Sequence, residues 1–214
     1  MPSAQKTKLK ILDAAEELFA MRGFSETSLR QITNKAEVNL ASVNYHFGSK
    51  KELIQAVIER YLSIMVPNIE QRLLLLANNE QAPTLEQVLA AFLEPIMALN
   101  DERKNGTNIL LKLLGRGYSD SQGHLRWFIT TNYGNVMQLF LGLIEQANPS
   151  LPASEIFWRL HFTLGSVVFT MSSSEALIDI SANDFNERLD TAGVIKRLIP
   201  FIAAGVGAPD LRER

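Results

Sequence analysis

The sequence contains no cysteine, which excludes disulfide bonds, thiolate catalysis and cysteine-ligated zinc together. Its three histidines, His46, His124 and His161, lack the spacing of a metal site, and no H-E-x-x-H, P-loop or G-x-S-x-G motif occurs. No apolar run approaches the roughly 20 residues of a membrane span, and no signal-peptide core follows the first ten residues. We expect a cytoplasmic protein that is not an enzyme, needs no metal or cofactor and does not enter a membrane.

Neither sign of charge dominates the chain, since 21 Lys and Arg oppose 23 Asp and Glu for a formal charge of −2. This balance excludes a protein that coats nucleic acid through bulk positive charge. The first 60 residues hold nine basic against seven acidic residues, whereas the rest hold 12 against 16. A mildly basic N-terminal head (residues 1–60) and an acidic body (residues 61–214) suggest that the two parts have different functions.

No segment alternates with period two for long enough to require a strand, and apolar residues recur every three to four positions. The pattern predicts an all-α protein. Capping boxes begin helices at Ser28, Ser49 and Thr84, and Asn39 is an N-cap.

Two prolines and several polar segments predict where the later helices end. We expect a kink or break at Pro67 and an interruption at Pro95. Further helices are predicted at about 104–115, 121–147, 153–178 and 185–204, separated by residues 115–117, 148–152 and 181–183.

The first 47 residues accommodate three helices, and a very short turn that includes Glu37 and Val38 joins the second to the third. This is helix-turn-helix spacing. The outer face of the third helix is small or polar and suits a major groove: Leu40, Ala41, Ser42, Asn44 and Tyr45. Lys50 begins the next helix, where a phosphate would find a cation and free N–H groups. From spacing alone, a plain three-helix packing unit is an equal alternative.

Several motifs in order point to one family: an IL-x-AA-x-x-LF run at 11–19, Gly-Phe at 23–24, Thr-Ser at 27–28 and YHF-x-SK at 45–50. With them, residues 7–55 closely resemble the DNA-binding domain of TetR-family repressors. Within the family, residues 41–57 look most like the PsrA-type, fatty-acid-responsive members.

The resemblance implies roles for residues at matching positions. Base contacts are implied for the start of the recognition helix, at Leu40, Ala41 and Ser42, and its aromatic segment consists of Tyr45 and His46. Lys50 matches the family's phosphate-binding lysine. The start of the second helix, which often contacts the DNA backbone, is matched by Thr27 and Ser28. For His46, packing against or capping the recognition helix is the alternative. Glu37 stands where the family usually has glycine, so its carboxylate must point away from DNA. Asn44 replaces a frequent tyrosine, so a phosphate contact there is lost or moves to Tyr45.

The resemblance further implies a DNA-binding domain at 1–48, a larger helical effector-binding and dimerisation domain at 49–208 and a tail at 209–214. We expect the last two helices to form a homodimer interface through Phe157, Leu164, Gly165, Val168, Ile195, Leu198 and Ile202. The alternative is that these helices only close the core of the monomer.

The effector site is predicted from aromatic residues and from polar groups able to receive a carboxylate: Arg116, Arg126, Trp127, Phe128, Tyr133, Trp158, His161 and Phe162. Arg116 lies in a Gly-Arg-Gly break that is expected to re-form around a ligand. The alternative is that these side chains belong to an ordinary core.

Together these features predict a dimeric repressor that binds a palindromic operator in double-stranded DNA and is released by a long-chain fatty acid or acyl-CoA. One alternative is a repressor of an efflux or catabolic gene that responds to another hydrophobic or aromatic ligand. A helical protein-binding adaptor is the alternative from a different class, and it leaves the N-terminal head unexplained.

Overall fold

The computed structural model of the chain describes residues 3–119 and 123–210, and of residues 3 and 116–119 the backbone alone. These ranges are largely helical and contain no strand, which confirms the predicted all-α fold. In chain order the helices are α1 (Ser3–Arg22), α2 (Leu29–Ala36), α3 (Leu40–Phe47), α4 (Lys50–Ala77), α5 (Leu85–Met97), α6 (Leu99–Glu102), α7 (Gly106–Ser119), α8 (Gly123–Ala147), α9 (Ala153–Ser172), α10 (Ser174–Phe185) and α11 (Thr191–Val206).

The helices of the N-terminal head begin at the predicted caps. At α2 the Ser28 hydroxyl accepts a hydrogen bond from the Gln31 N–H at 3.2 Å, and the Gln31 side chain accepts one from the Ser28 N–H at 2.7 Å. At α3 the Asn39 side-chain oxygen accepts from the Ser42 N–H at 2.8 Å. Such side chains satisfy N–H groups that the first turn of a helix leaves without a partner. Local sequence therefore specifies where these helices start.

Contacts divide the chain into two compact units, of which the first holds residues 1–64 and 108–133 and the second holds 65–107 and 134–214. In the first unit, α1 packs against α2 and α3. In the second, α11 packs against α5 and α9. The sequence-based boundaries at residues 48 and 208 stay a prediction. Of the predicted tail, only residues 209 and 210 are described.

The two prolines at which a kink or an interruption was predicted lie within helices, as does Pro200 of α11. α4 continues past Pro67 to Ala77, so the chain does not break there. The predicted interruption at Pro95 is wrong, because α5 runs two residues beyond it to Met97. Pro95 is itself buried, and Ile69, two residues after Pro67, is 1% exposed. Apolar burial on both sides of each proline compensates for the backbone hydrogen bond that proline removes.

Three predicted helix boundaries are corrected. The Gly-Arg-Gly segment at 115–117 lies inside α7 and is not a break. The helix predicted at 153–178 is instead α9 and α10, which meet at Ser173 (φ −107°, ψ 9°). There the Ser172 hydroxyl donates to the Phe169 carbonyl at 3.1 Å, a bond by which serine competes with helix continuation. The separator predicted at 181–183 lies within α10, which ends where Asn186 adopts a left-handed conformation (φ 54°).

Within the described ranges, no helix combines the length and the hydropathy that a bilayer crossing requires.

Candidate nucleic-acid interface

Helix α3, the predicted recognition helix, has one buried face and a broad outward one. Its buried side chains are Val43 and Phe47, one turn apart. Because successive residues are rotated by about 100° in a helix, Ala41 and Tyr45 lie opposite that buried pair. Tyr45 is accordingly 82% exposed, and Leu40 at the start of the helix is 43% exposed. The predicted base-facing side is therefore open to solvent.

Two polar residues of α3 already have neighbours. The Ser42 hydroxyl donates to the Asn39 side-chain oxygen at 2.9 Å, so towards DNA it can act only as an acceptor. The His46 ring lies edge-on to the Tyr45 ring, with centroids 5.0 Å apart, and 6.2 Å from the Phe47 ring. These contacts favour the packing alternative for His46, and its contact with DNA stays a prediction.

The predicted DNA contact by Thr27 is corrected. Its side chain is fully buried, and its hydroxyl lies 2.8 Å from the Gly23 carbonyl and 3.3 Å from the Leu18 carbonyl. Thr27 thus satisfies carbonyls at the end of α1 and has no surface left for a phosphate. Its neighbour Ser28 is exposed at the α2 cap and stays a predicted contact.

Cationic side chains accompany α3 at its end. Lys50 and Lys51 occupy the first turn of α4, where backbone N–H groups add partial positive charge. The Lys8 ammonium lies 5.9 Å from the centre of the Phe47 ring. The arrangement places positive charge near the C-terminal end of α3, where phosphates can bind.

Glu37 retains the turn geometry that glycine would provide. It adopts φ 55° and ψ 46° and caps α2 through its N–H. Its carboxylate lies 3.8 Å from the Lys10 ammonium of α1 and is largely exposed. The departure from glycine therefore preserves the turn, at the cost of a left-handed conformation that residues with a Cβ rarely adopt.

Two adjacent residues of α4 connect it to different helices of the first unit. The Tyr133 hydroxyl of α8 contacts both Glu59 carboxylate oxygens, at 2.8 and 2.7 Å. Arg60 donates to Glu16 at 3.1 Å and to Asp13 at 2.7 Å, both on α1. Burial, followed by the hydrogen bond and the charge of Glu59, raises the pKa of the Tyr133 phenol. At neutral pH Tyr133 therefore remains the donor in this contact.

His124 lies in the first turn of α8, and its Nε2 is buried without a hydrogen-bond partner among the described residues. Burial, and secondarily the charge of Lys51, lowers the pKa of the imidazole. Both effects disfavour the protonated ring.

The predicted effector residues are distributed over the two units. Arg126, Trp127, Phe128 and Tyr133 belong to the first unit, and Trp158, His161 and Phe162 to the second. Arg126, Trp127, Trp158 and Phe162 are exposed, and His161 Nδ1 lies 2.7 Å from the Phe157 carbonyl. The side chain of Arg116 lies outside the described residues. The effector role of each residue stays a prediction.

An open cavity of about 640 Å³ lies between α9, α10 and α11. It is mainly apolar, with Phe169, Phe185 and Phe201 on its walls, and an Arg197–Glu187 ion pair also lines it. None of the predicted effector residues lines it. Sequence reasoning did not predict Phe169, Phe185 or Phe201 as effector residues. The available signal was the spacing of Phe162 and Phe169, which places both on one side of α9.

The predicted dimer residues divide into outward and inward groups. Phe157 and Gly165 are exposed, and Leu164, Val168 and Ile195 are half-buried. Leu198 and Ile202 are 8% and 3% exposed within one protomer. Their burial favours the alternative that they close the core of the monomer, and their place in an interface stays a prediction. Among the described residues, no group of His, Asp and Glu is arranged to hold a metal ion.

Two family descriptions match the chain. "Bacterial regulatory proteins, tetR family" matches residues 11–57, and "Tetracyclin repressor-like, C-terminal domain" matches residues 90–205. The regulator SrpR of Pseudomonas putida is 44% identical over 55 residues, covering 26% of each chain. The regulator TtgR, also of P. putida, is 39% identical over 56 residues, covering 26% of this chain and 27% of TtgR. These matches span only about a quarter of either relative.

Solved structures share the fold over almost the whole chain. NalD, the secondary repressor of the MexAB-OprM multidrug efflux pump in Pseudomonas aeruginosa, has a TM-score of 0.61 at 21% identity, covering 96% of this chain and 98% of NalD. A TetR-like regulator from Rhodococcus sp. RHA1 has a TM-score of 0.59 at 20% identity, covering 98% and 100%. With matches to both the DNA-binding and the C-terminal descriptions, the chain belongs to the TetR family of transcriptional regulators.

Proposed function

We propose that the protein is a transcriptional repressor that binds a palindromic operator as a homodimer and releases it when a small hydrophobic effector binds. The outward face of α3 carries this proposal. An α-helix with its side chains is about 10–12 Å in diameter, which fits a major groove about 12 Å wide. In helix-turn-helix proteins the second helix enters that groove while the first crosses the backbone.

Binding of the full-length protein to the region upstream of its own gene tests the proposal, with a shuffled fragment as control. The logarithm of affinity should fall with the logarithm of salt concentration by about 0.9 per phosphate contact. Lys50→Ala should weaken binding to every operator variant, whereas Lys104→Ala, an exposed lysine of the second unit, should not. A protein-binding adaptor would show no preference for the upstream fragment.

The second unit supports the homodimer. Five aromatic side chains of α9, α10 and α11 are each more than half exposed, and we call them the α9–α11 face: Trp158, Phe162, Phe169, Phe185 and Phe201. Soluble monomers rarely expose so many large apolar groups together, and homodimer interfaces are enriched in aromatic residues. A second copy of the chain is the occupant we propose, because a palindromic operator needs two recognition helices in a fixed relation.

Gly165 offers a test that separates dimerisation from folding. It lies on α9 between Phe162 and Phe169, and no atom lies within 4 Å of the position a Cβ would occupy. Gly165→Trp should therefore fold normally by circular dichroism but sediment as a monomer. Gly142→Trp on α8, at an equally open position, should remain dimeric. A dimeric Gly165→Trp variant would place the interface elsewhere.

For the effector, we propose a long-chain fatty acid or its acyl-CoA. The proposal is supported by the resemblance of residues 41–57 to PsrA-type regulators and by an apolar, aromatic-rich C-terminal body. Burying an acyl chain contributes about 0.8 kcal/mol per CH₂, so one or two polar groups suffice to orient its carboxylate.

A different hydrophobic or aromatic effector is the second candidate. The observation that favours it is the structural similarity to NalD, whose description names a multidrug efflux pump. Oleate, oleoyl-CoA, octanoate and a cationic aromatic dye should be titrated into the preformed operator complex. Preferential release by the two long-chain compounds supports the fatty-acid proposal. Preferential release by the dye supports the efflux alternative.

The contacts of α4 suggest how a ligand could act at a distance. Through Glu59 this helix is bonded to α8, and through Arg60 it is bonded to α1 of the head. A ligand that favours another position of α8 would thus be coupled to the head through a single helix. Such coupling is reciprocal, so DNA binding must weaken effector binding by the same factor.

Tyr133→Phe tests this coupling because it removes only the hydroxyl that contacts Glu59. The variant should bind operator as wild type does without effector, yet need more effector for release. Thr131→Ala, at an exposed position of the same helix, should respond as wild type does. An unchanged response of Tyr133→Phe would exclude this contact from the coupling.

A further inference from the structure

We infer that the recognition helix reads A·T base pairs, with Asn44 contacting an adenine and Leu40 contacting a thymine methyl group. The inference rests on the proposed DNA binding and specifies which DNA is bound. Its first observation is compositional. The sequence of α3, LASVNYHF, contains no arginine, lysine or glutamine. The commonest guanine contact is a bidentate one from arginine or lysine, so α3 has no side chain suited to it.

Asn44 is the one residue of α3 whose side chain is an amide, the group that makes a bidentate contact with adenine. Its side chain is exposed, and its amide makes no hydrogen bond with the described part of the chain. An amide places a donor beside an acceptor, which matches N7 and the N6 amino group of adenine in the major groove. Ser42, by contrast, already donates its hydroxyl hydrogen to Asn39.

Leu40 supplies the complementary apolar contact. It has no polar side-chain atom, yet it is 43% exposed at the start of α3, the end from which such helices contact base edges. The thymine methyl is the apolar group of the major groove. Leu40 and Asn44 are four residues apart on one side of α3, about 6 Å along the axis. That separation corresponds to about two base-pair steps of 3.4 Å.

The remaining charge near α3 does not alter this specificity. Lys50 and Lys51 belong to α4, and Lys8 belongs to α1. Lysines that contact phosphates position the protein and carry no direct base information. We therefore expect each half-site to specify an adenine and a thymine within about two base pairs of each other.

Selection from random double-stranded DNA with the full-length protein is the first part of the test. The expected result is a dyad motif with A·T pairs at the central positions of both half-sites. A motif whose half-sites are specified by G·C pairs would overturn the inference while leaving the proposed DNA binding intact. Failure to enrich any sequence would instead contradict the proposed function.

Base analogues in the selected site then test each contact. Replacing the adenine with 7-deazaadenine removes N7 and should weaken wild-type binding about 10-fold. It should not further weaken Asn44→Ala, which retains helix propensity and should fold. Asn34→Ala, an exposed asparagine of α2, should remain as sensitive to the analogue as wild type. Equal losses in wild type and Asn44→Ala would exclude the adenine contact.

The thymine contact is tested in the same way with uracil, which lacks the methyl group. The substitution should weaken wild-type binding a few-fold and leave Leu40→Ala binding unchanged. If uracil weakens both proteins equally, Leu40 does not contact that methyl group.

Discussion

The phenylalanines of the N-terminal region that contains α1–α3 are buried, whereas several phenylalanines of α9–α11 are exposed. In the first region Phe19 of α1 and Phe24, in the connection between α1 and α2, are fully buried and pack edge to face, with ring centroids 5.2 Å apart. In the second region Phe162, Phe169 and Phe201 are each about two-thirds exposed. One region completes its core within a single protomer. The other leaves large aromatic side chains exposed in the protomer, and the proposed homodimer would cover them.

Helices α2 and α3 also differ from α9 and α10 in how they begin, although α11 begins at a side-chain cap from Asp190. α2 and α3 begin at side-chain caps provided by Ser28 and Asn39. α9 and α10 have no side-chain cap bond at Pro152 or Ser173. Local hydrogen bonds therefore define the head, whereas packing has the larger part in defining α9 and α10.

The largest contrast should come from removing one phenylalanine in each region. Phe19→Ala should lower the free energy of unfolding by about 3–5 kcal/mol, because it leaves a cavity in a closed core. Phe169→Ala should change urea unfolding only at protein concentrations where wild type is dimeric. Equal losses at every concentration would mean that Phe169 also supports the protomer core.

The next largest difference should be in the free energy of unfolding that is lost when a largely buried ion pair or an exposed ion pair is removed. Arg60→Met leaves the Glu16 carboxylate, whose side chain is 10% exposed, without its cation and should cost about 1–3 kcal/mol in chemical denaturation. Arg72→Met removes an exposed pair with Glu94 in the second unit and should cost less than about 1 kcal/mol. Similar costs would show that Glu16 finds another partner.

Glycine substitutions at two residues with left-handed backbone conformations, one in each region, should stabilise the protein to different extents. Glu37→Gly should raise the free energy of unfolding by about 0.5–1 kcal/mol, since it relieves a left-handed glutamate. Asn186→Gly in the second unit should change it by a few tenths at most, because asparagine tolerates this conformation. Thermal melts of both variants against wild type would measure the difference. A destabilised Glu37→Gly variant would mean that the Lys10 contact outweighs the strain.

The smallest expected effect is the pH dependence contributed by His124. Its pKa is lowered from the ordinary 6.5, so near that pH the unfolded chain binds the proton more readily than the folded one. Stability from this residue is therefore complete above 6.5 and declines as the pH falls towards the folded-state pKa. His124→Gln should lose less stability than wild type between pH 7.5 and 5.5. Parallel pH profiles would exclude the contribution.

The helix-turn-helix could be predicted from sequence because its determinants are local. The caps at Ser28 and Asn39 and the short turn at Glu37 involve residues within a few positions of one another. Thr27 escaped prediction because its burial depends on how the chain folds back at the end of α1, where its hydroxyl contacts the carbonyls of Leu18 and Gly23. The sequence shows that a hydroxyl precedes the helix. Whether that hydroxyl contacts a DNA phosphate or a backbone carbonyl depends on which neighbouring helix packs against it.

By itself the sequence determined the helical class, the caps and the character of α3, since each follows from short-range periodicity and hydrogen bonding. The tertiary structure alone decided that α4 and α5 continue past their prolines and that the helix predicted at 153–178 divides at Ser173. It also decided that Leu198 and Ile202 face inward while Trp158 and Phe162 face outward. The physical reason is that a helix with apolar residues over a broad arc has more than one face it could bury, and only its neighbours determine which face stays exposed.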